Sequence, residues 1–286
     1  MAHHRYDILP SVRNNETSSI LRNKITDFWD SEPCGTRYLD APESFAAHAA
    51  VRYRLEPHIA IFAQFASARG KRILEVGVGL GADYLEWLRA GAIATGIDLS
   101  PFSIEQARRR CETAGYKPDL QTGDGEHLTF QSDTFDVVYS YGVMHHSPDV
   151  QRCIDEAWRV LKPGGEARIM LYHHPSLTGL MLWLRFGLLR RKPVRQTVYE
   201  HLESPGTKSF SRAEVRAMMR AFEMVELQQV FSPGDLLLHR PSLRFTGFFY
   251  RIVWILYPRF LIAVLCRKLG LFLLVSGRKP VSSQHD

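Results

Sequence analysis

Cysteine is scarce in this 286-residue chain: Cys34, Cys111, Cys153 and Cys266 are its only four, and no two form a C-x-x-C pair. That spacing excludes a zinc ribbon and a disulfide framework, and it fits a reducing compartment. The first residues show no leader of charged, apolar and cleavage segments, so the expectation is a cytoplasmic protein. No apolar run reaches the ~20 residues that crossing a bilayer requires. Even the stretch Phe245 to Cys266 is interrupted by Arg251, Pro258 and Arg259. Internal repeats, a recognisable RNA-binding module and a dense basic stripe are also missing, which argues against nucleic acid as a partner. The net charge of +6 is mild, and solubility alone accounts for such a value as readily as an anionic surface does.

What the chain has is a composition that is 45% hydrophobic and 23% charged, enough for one large α/β core with additions. The core is organised around residues 72–98. Ile73, Leu74 and Val76 form a short apolar run suited to a strand buried on both faces. Gly77, Gly79 and Gly81 then let the backbone turn and approach a ligand. Tyr84, Leu85 and Leu88 recur at helical spacing up to the terminating Gly91, and a second strand runs from Ile93 to Asp98. This is a βαβ unit with a glycine turn at its ligand-binding end. Gly77, Gly79, Ala82 and Asp98 satisfy the dinucleotide pattern G-x-G-x-x-A with an acid about 20 residues on, so a NAD(P)-dependent oxidoreductase is one reading.

The other reading comes from Glu75, Gly77, Gly79 and Gly81, whose E-x-G-x-G-x-G spacing resembles motif I of class I S-adenosylmethionine-dependent methyltransferases. Further matches follow in order: Gly123-Asp124-Gly125-Glu126, then Leu128-Thr129-Phe130, then Phe135-Asp136-Val137-Val138, then the turn Leu161-Lys162-Pro163-Gly164-Gly165. The resemblance covers residues 70 to 170 well and 207 to 280 loosely, and it is strongest to ubiquinone, menaquinone and natural-product methyltransferases. It implies a Rossmann-like, seven-stranded, mostly parallel sheet flanked by helices, with S-adenosyl-L-methionine as cofactor. By resemblance the glycine loop with Glu75 meets the methionine part, Asp98 and Leu99 the ribose, and Asp124 and Gly125 the adenine, with Ser140 completing the set. A membrane-associated protein that binds S-adenosylmethionine without catalysing transfer is a further alternative.

The loop Tyr141 to His146 leaves the fourth strand where ligands bind in open α/β sheets. The cofactor's methyl group is already activated, so the protein has to align the acceptor and remove a proton where the acceptor carries one. His145 and His146 are candidates for that base, or they shape the loop. His173 follows the fifth strand and is a candidate acceptor contact, as are Tyr38 and Tyr53, which otherwise pack the cap onto the sheet. A metal cluster of His145, His146, His173 and His174 lacks a carboxylate neighbour in sequence, so no metal is expected.

Four regions result: an N-terminal helical cap (1–69), the cofactor-binding core (70–175), an apolar insertion over the acceptor site (176–206), and a C-terminal completion of the sheet (207–286) with an apolar helical insertion at 243–267. The segment Leu177 to Leu189 reads as one helix, Ser211 with Glu214 as a capping box, and Lys279-Pro280 as the start of a polar tail. The two apolar insertions point either to a lipophilic acceptor, small or medium in size and methylated on oxygen or carbon, or to peripheral membrane contact, with a lid or a homodimer interface as the other open reading.

Overall fold

The computed structural model describes residues 15–31, 43–204, 206–238 and 255–281. Tyr38, the first 14 residues and residues 239–254 of the second insertion lie outside that set. Helices α1 (Asn15–Ser31), α2 (Glu43–Leu55) and α3 (His58–Ala63) come first. The core follows as β1 (Arg72–Val76), α4 (Ala82–Arg89), β2 (Ile93–Asp98), α5 (Pro101–Thr113), β3 (Asp119–Thr122), β4 (Phe135–Tyr141), α6 (Val150–Val160) and β5 (Leu161–Tyr172). Then come α7 (Leu177–Leu182), α8 (Val194–His201), α9 (Arg212–Met218), β6 (Glu223–Val230), α10 (Arg259–Leu265) and β7 (Phe272–Arg278).

The seven strands lie in the order β3-β2-β1-β4-β5-β7-β6. β1 pairs in parallel with both β2 and β4, whereas β7 runs antiparallel to β5 and β6. Alternation along β1 sends Leu74 and Val76 to the layer of α6 and α9, and Ile73 to the layer of α3, α4 and α5. Both faces are therefore covered, which is why β1 reads as an unbroken apolar run. The strand order reverses between β1 and β4, and the crevice beyond their carboxyl ends is where such sheets bind ligands.

Local chemistry sets the element ends. Ser100 caps α5 by accepting from the Ser103 amide, with Pro101 in the first turn. Ser211 and Glu214 close a complete capping box on α9. Gly91 and Gly115 stop α4 and α5 at φ 78° and 83°.

Two expectations need correction, the single helix at Leu177 to Leu189 and the polar tail from Lys279. Before them, α3 ends at Ala63, where Gln64 turns left-handed at φ 55° and a short 3₁₀ turn follows over Phe65–Ser67. This turn brings the Phe65 ring edge-on to Trp87 at 4.4 Å, so packing on α4 overrides helix continuation. The segment from Leu177 likewise ends its regular helix at Leu182 and continues as a π-turn over Trp183–Gly187. There a Cβ on Gly187 would meet Thr197 Oγ1 at 2.5 Å and Trp183 Cδ1 at 2.6 Å, so the turn lets the backbone press against α8. Lys279, finally, is 7% exposed. Its ammonium donates to Asp133 Oδ1 (2.7 Å) and the Leu161 carbonyl (2.8 Å), and it lies 4.1 Å from the centre of the Trp158 ring.

Candidate functional site

A cavity of about 1390 Å³ opens along the carboxyl ends of β1, β2 and β4. It exceeds the roughly 300–1,000 Å³ of a typical single-ligand site. One end is built by the glycine loop. Gly77 has φ 84°, and a Cβ there would come within 2.2 Å of Val143 Cγ2. Gly79 has φ 50° and no protein atom within 4 Å of its would-be Cβ, so at that position the backbone itself forms the wall. Gly81 serves a different purpose: a Cβ there would strike Ala107 of α5 at 2.8 Å. Its place is in helix packing, behind the residues that line the cavity.

Asp98, at the end of β2, accepts from the Gly79 amide (2.8 Å) through one carboxylate oxygen and from the Ser100 amide (2.9 Å) through the other. Burial pushes its pKa up, and these amides oppose the rise. Leu99, Asp124 and Gly125 also line the cavity. Asp124 accepts from the Glu126 amide (2.9 Å) and pairs with Arg22 Nε of α1 (3.0 Å), so the first helix is tied across this end. Glu75 reaches the wall, yet its Oε2 takes the indole proton of Trp87 at 2.9 Å. Burial together with the nearby Asp83 charge holds its pKa well above the carboxylate range.

Several sequence candidates stand behind the wall. Ser140 is fully buried and donates to the Val76 carbonyl (2.9 Å), joining β4 to β1. Tyr53 donates to Asp83 Oδ1 (3.0 Å), which leaves its neighbour Arg52 to line the cavity. His173 is 4% exposed, outside the cavity lining, and its Nδ1 meets Gln229 Nε2 at 2.9 Å. His145 has no exposed surface and stacks on Tyr172 with ring centres 3.7 Å apart. Burial, with His146 beside it, drives its pKa far below the imidazole range.

His146 does reach the cavity. Its Nδ1 lies 2.8 Å from Ser204 Oγ and 3.1 Å from Thr207 Oγ1, and its Nε2 lies 3.5 Å from Glu203 Oε2. The Trp29 ring of α1 meets it edge-on at 5.1 Å. Burial, then the Lys208 charge, pushes its pKa down to about 3, so the ring is neutral at physiological pH.

Two residues that motif reading passed over complete the far end. Glu203, just past α8, takes the Tyr172 hydroxyl proton at 2.7 Å. Enclosure raises its pKa, against the pull of that hydroxyl. Glu56 of the α2–α3 turn also faces the cavity, and burial raises it too. Around them stand Trp29, Tyr141, Met170, Tyr172, Leu271 and Phe272. The Tyr172 and Phe272 rings are near parallel, 5.8 Å apart. No sequence signal marks Glu203, because 57 positions separate it from His146 and only the fold joins them.

Residues 74–169 match the family model described as a methyltransferase domain. The chain is similar to the phthiotriol/phenolphthiotriol dimycocerosates methyltransferase of Mycobacterium leprae, with 42% identity over 98 residues, which are 34% of this chain and 36% of that one. It is also similar to the demethylmenaquinone methyltransferase of Tropheryma whipplei, with 36% identity over 125 residues, 42% of this chain and 51% of that protein. The chain thus spans about a third to a half of the curated relatives it matches. Among solved structures, phosphoethanolamine N-methyltransferase 2 of Haemonchus contortus in complex with S-adenosyl-L-methionine shares the fold. Its TM-score is 0.59 at 18% identity, over 90% of this chain and 60% of that one. Residues 74–169 are thus similar to a methyltransferase domain, and the seven-stranded sheet that carries them has the Rossmann-like fold of the solved methyltransferases.

Proposed function

We propose that the chain transfers a methyl group from S-adenosylmethionine to a small, lipophilic acceptor held in the aromatic end of the cavity. The observation that carries this reading is the continuity of one cavity from the glycine loop to the wall of Trp29, Tyr141, Tyr172 and Phe272. The cofactor fits the first end. Gly79 leaves room for a ligand against bare backbone, and the carboxylate of Asp98 keeps lone pairs free for ribose hydroxyls after accepting its two amides. Gly123 to Glu126 line the part of the cavity where adenine is expected.

When bound, the cofactor supplies a methyl group on a positively charged sulfur. The chain's own work is alignment and exclusion of water. Arg22 clamps α1 over the Asp124 end, and Trp29 of the same helix closes on His146. His146, uncharged and facing the cavity, is a candidate to receive an acceptor proton. Its depressed pKa makes it a weak base, suited to orienting an acceptor as much as to deprotonating it. The test is transfer of tritiated methyl from S-adenosylmethionine to a total lipid extract. Label in the organic phase supports a lipophilic acceptor, and label confined to water-soluble amines or nucleic acid overturns it.

A second reading concerns access. In and before α10, Ile255, Leu256, Phe260, Leu261 and Leu265 are exposed, Phe260 to 83%. Arg259, Arg267 and Lys268 flank them. Tyr257 donates to the Asp235 carbonyl and Arg259 to that of Leu237, which fastens this segment beside Pro233 and Gly234 of the cavity wall. An apolar face edged by cations at a cavity mouth suits contact with an anionic membrane. No helix among the described residues is long and apolar enough to cross one. Co-sedimentation with phosphatidylglycerol vesicles but not with phosphatidylcholine vesicles is expected. A concentration-dependent dimer that ignores vesicles would assign the face to a second copy instead.

A further inference from the structure

The far end of the cavity gathers three atoms of metal-ligating type. One each from His145, His146 and Glu203 lie within 4.8 Å of one another. The Nε2 of His146, 4% exposed, has no hydrogen-bond partner among the described residues, and the fully buried ring of His145 has one at most, the Met170 backbone.

The proton inventory sharpens this. Thr207 uses its hydroxyl proton on the Ser204 carbonyl at 2.8 Å. Its oxygen can receive the Nδ1 proton of His146 at 3.1 Å, the tautomer that leaves a lone pair on Nε2, and the nearer Ser204 Oγ, 2.8 Å from Nδ1, fits either tautomer. That lone pair points at Glu203 Oε2, 3.5 Å away. In that tautomer two acceptors face each other, a gap that either a proton on Glu203 or a cation held between them closes. An oxygen partner on the non-ligating nitrogen is also the arrangement that orients metal-bound histidines.

We propose that His145, His146 and Glu203 form a site for one divalent first-row transition-metal ion at the acceptor end of the cavity. Two imidazoles and one carboxylate suit zinc, iron or cobalt rather than magnesium or calcium. Bonds of about 2.1 Å around a tetrahedral ion place ligand atoms about 3.4 Å apart. The pair His146–Glu203 already has that spacing at 3.5 Å, and the His145 ligand atom lies within 4.8 Å of both. The fourth position faces the cavity, where an oxygen or nitrogen of the acceptor takes it. A carboxylate neighbour for the paired histidines, missing in sequence, is thus supplied by the end of α8. The assignment rests on the acceptor chamber of the proposed methyl transfer, and it names what holds the acceptor there.

The test uses the full chain carrying His3→Ala and His4→Ala, which removes a second histidine pair, after dialysis against a chelator. Titration with Zn²⁺ should show one equivalent bound, and Co²⁺ should give visible d–d bands. Glu203→Gln should weaken uptake by at least about tenfold, the scale on which even outer partners of metal ligands act, while S-adenosylmethionine still binds. X-ray absorption of the zinc-loaded parent should show two imidazole ligands, a readout that stands even where the variant misfolds. Absence of saturable uptake, uptake indifferent to Glu203→Gln in folded protein, or a zinc shell without two imidazoles overturns the site. Cofactor binding without metal uptake leaves the methyltransferase reading intact, whereas loss of cofactor binding in the parent removes that reading whatever the metal does.

Discussion

Arg52 of α2 grips Asp83 of α4 through two parallel contacts, Nε to Oδ1 at 3.1 Å and Nη2 to Oδ2 at 2.8 Å. The Tyr139 hydroxyl adds a third bond to Oδ2 at 2.9 Å. Burial alone would raise the Asp83 carboxyl, but Arg52 and these hydroxyls hold it below the usual range. The fork welds the N-terminal cap to the helix that begins at the glycine loop. Asp83→Asn should cost about 3 kcal/mol, because it leaves a largely buried guanidinium uncompensated. Urea unfolding measures this, and a loss under about 1 kcal/mol would mean that the fork is incidental.

The two loop glycines should separate stability from binding. Gly77→Ala drives a methyl group into Val143 at a φ of 84°, so the variant should lose more than about 2 kcal/mol. Gly79→Ala meets no protein atom within 4 Å and carries only about 1 kcal/mol of left-handed strain, yet it should weaken S-adenosylmethionine binding. Thermal melts paired with calorimetric titration test the contrast. Equal destabilisation of both variants would contradict it.

Asp98→Asn should weaken cofactor binding roughly tenfold to a hundredfold, the scale of hydrogen bonds to a charged group. Unchanged affinity in calorimetry would remove Asp98 from the ribose contact.

Acid should unfold the protein early. His145 and His146 lie below the ordinary imidazole pKa of 6.5 in the folded chain, His146 at about 3, so the unfolded chain binds more protons between those values. Their contribution is complete above pH 6.5 and is lost as pH falls toward the folded values. At pH 5 the loss is about 2 kcal/mol for the His146 ring, and His145 adds to it in the same direction. His48 and His58, both lowered to about 4 by burial first, act in the same direction. Melting temperature should therefore drop clearly between pH 7.5 and pH 5, and a flat profile would contradict the buried, neutral histidines.

Much of this architecture was legible because local chemistry and global fold agree. The strand Arg72–Val76 is an apolar run that ends at a glycine, and Ser100-Pro101 and Ser211 with Glu214 are helix starts that need no tertiary help. The cofactor end is similarly local, since Gly77, Gly79 and Asp98 belong to one βαβ unit. The acceptor end is not. Glu203, Glu56 and Arg52 reach the cavity only because the cap and α8 fold back over the sheet. The same long-range packing buries Lys279 beneath β5 and diverts Ser140 and His173 to structural bonds. Residue type at those positions says nothing about which neighbour the fold will supply.

The central claim is that the glycine-loop end of the cavity holds S-adenosylmethionine. Calorimetric titration of the purified chain with S-adenosylmethionine, S-adenosylhomocysteine and NADH tests it most directly. Saturable binding of the two sulfur ligands with no heat from NADH is the predicted result. Binding of NADH alone would contradict the account and return Gly77, Gly79, Ala82 and Asp98 to a dinucleotide site.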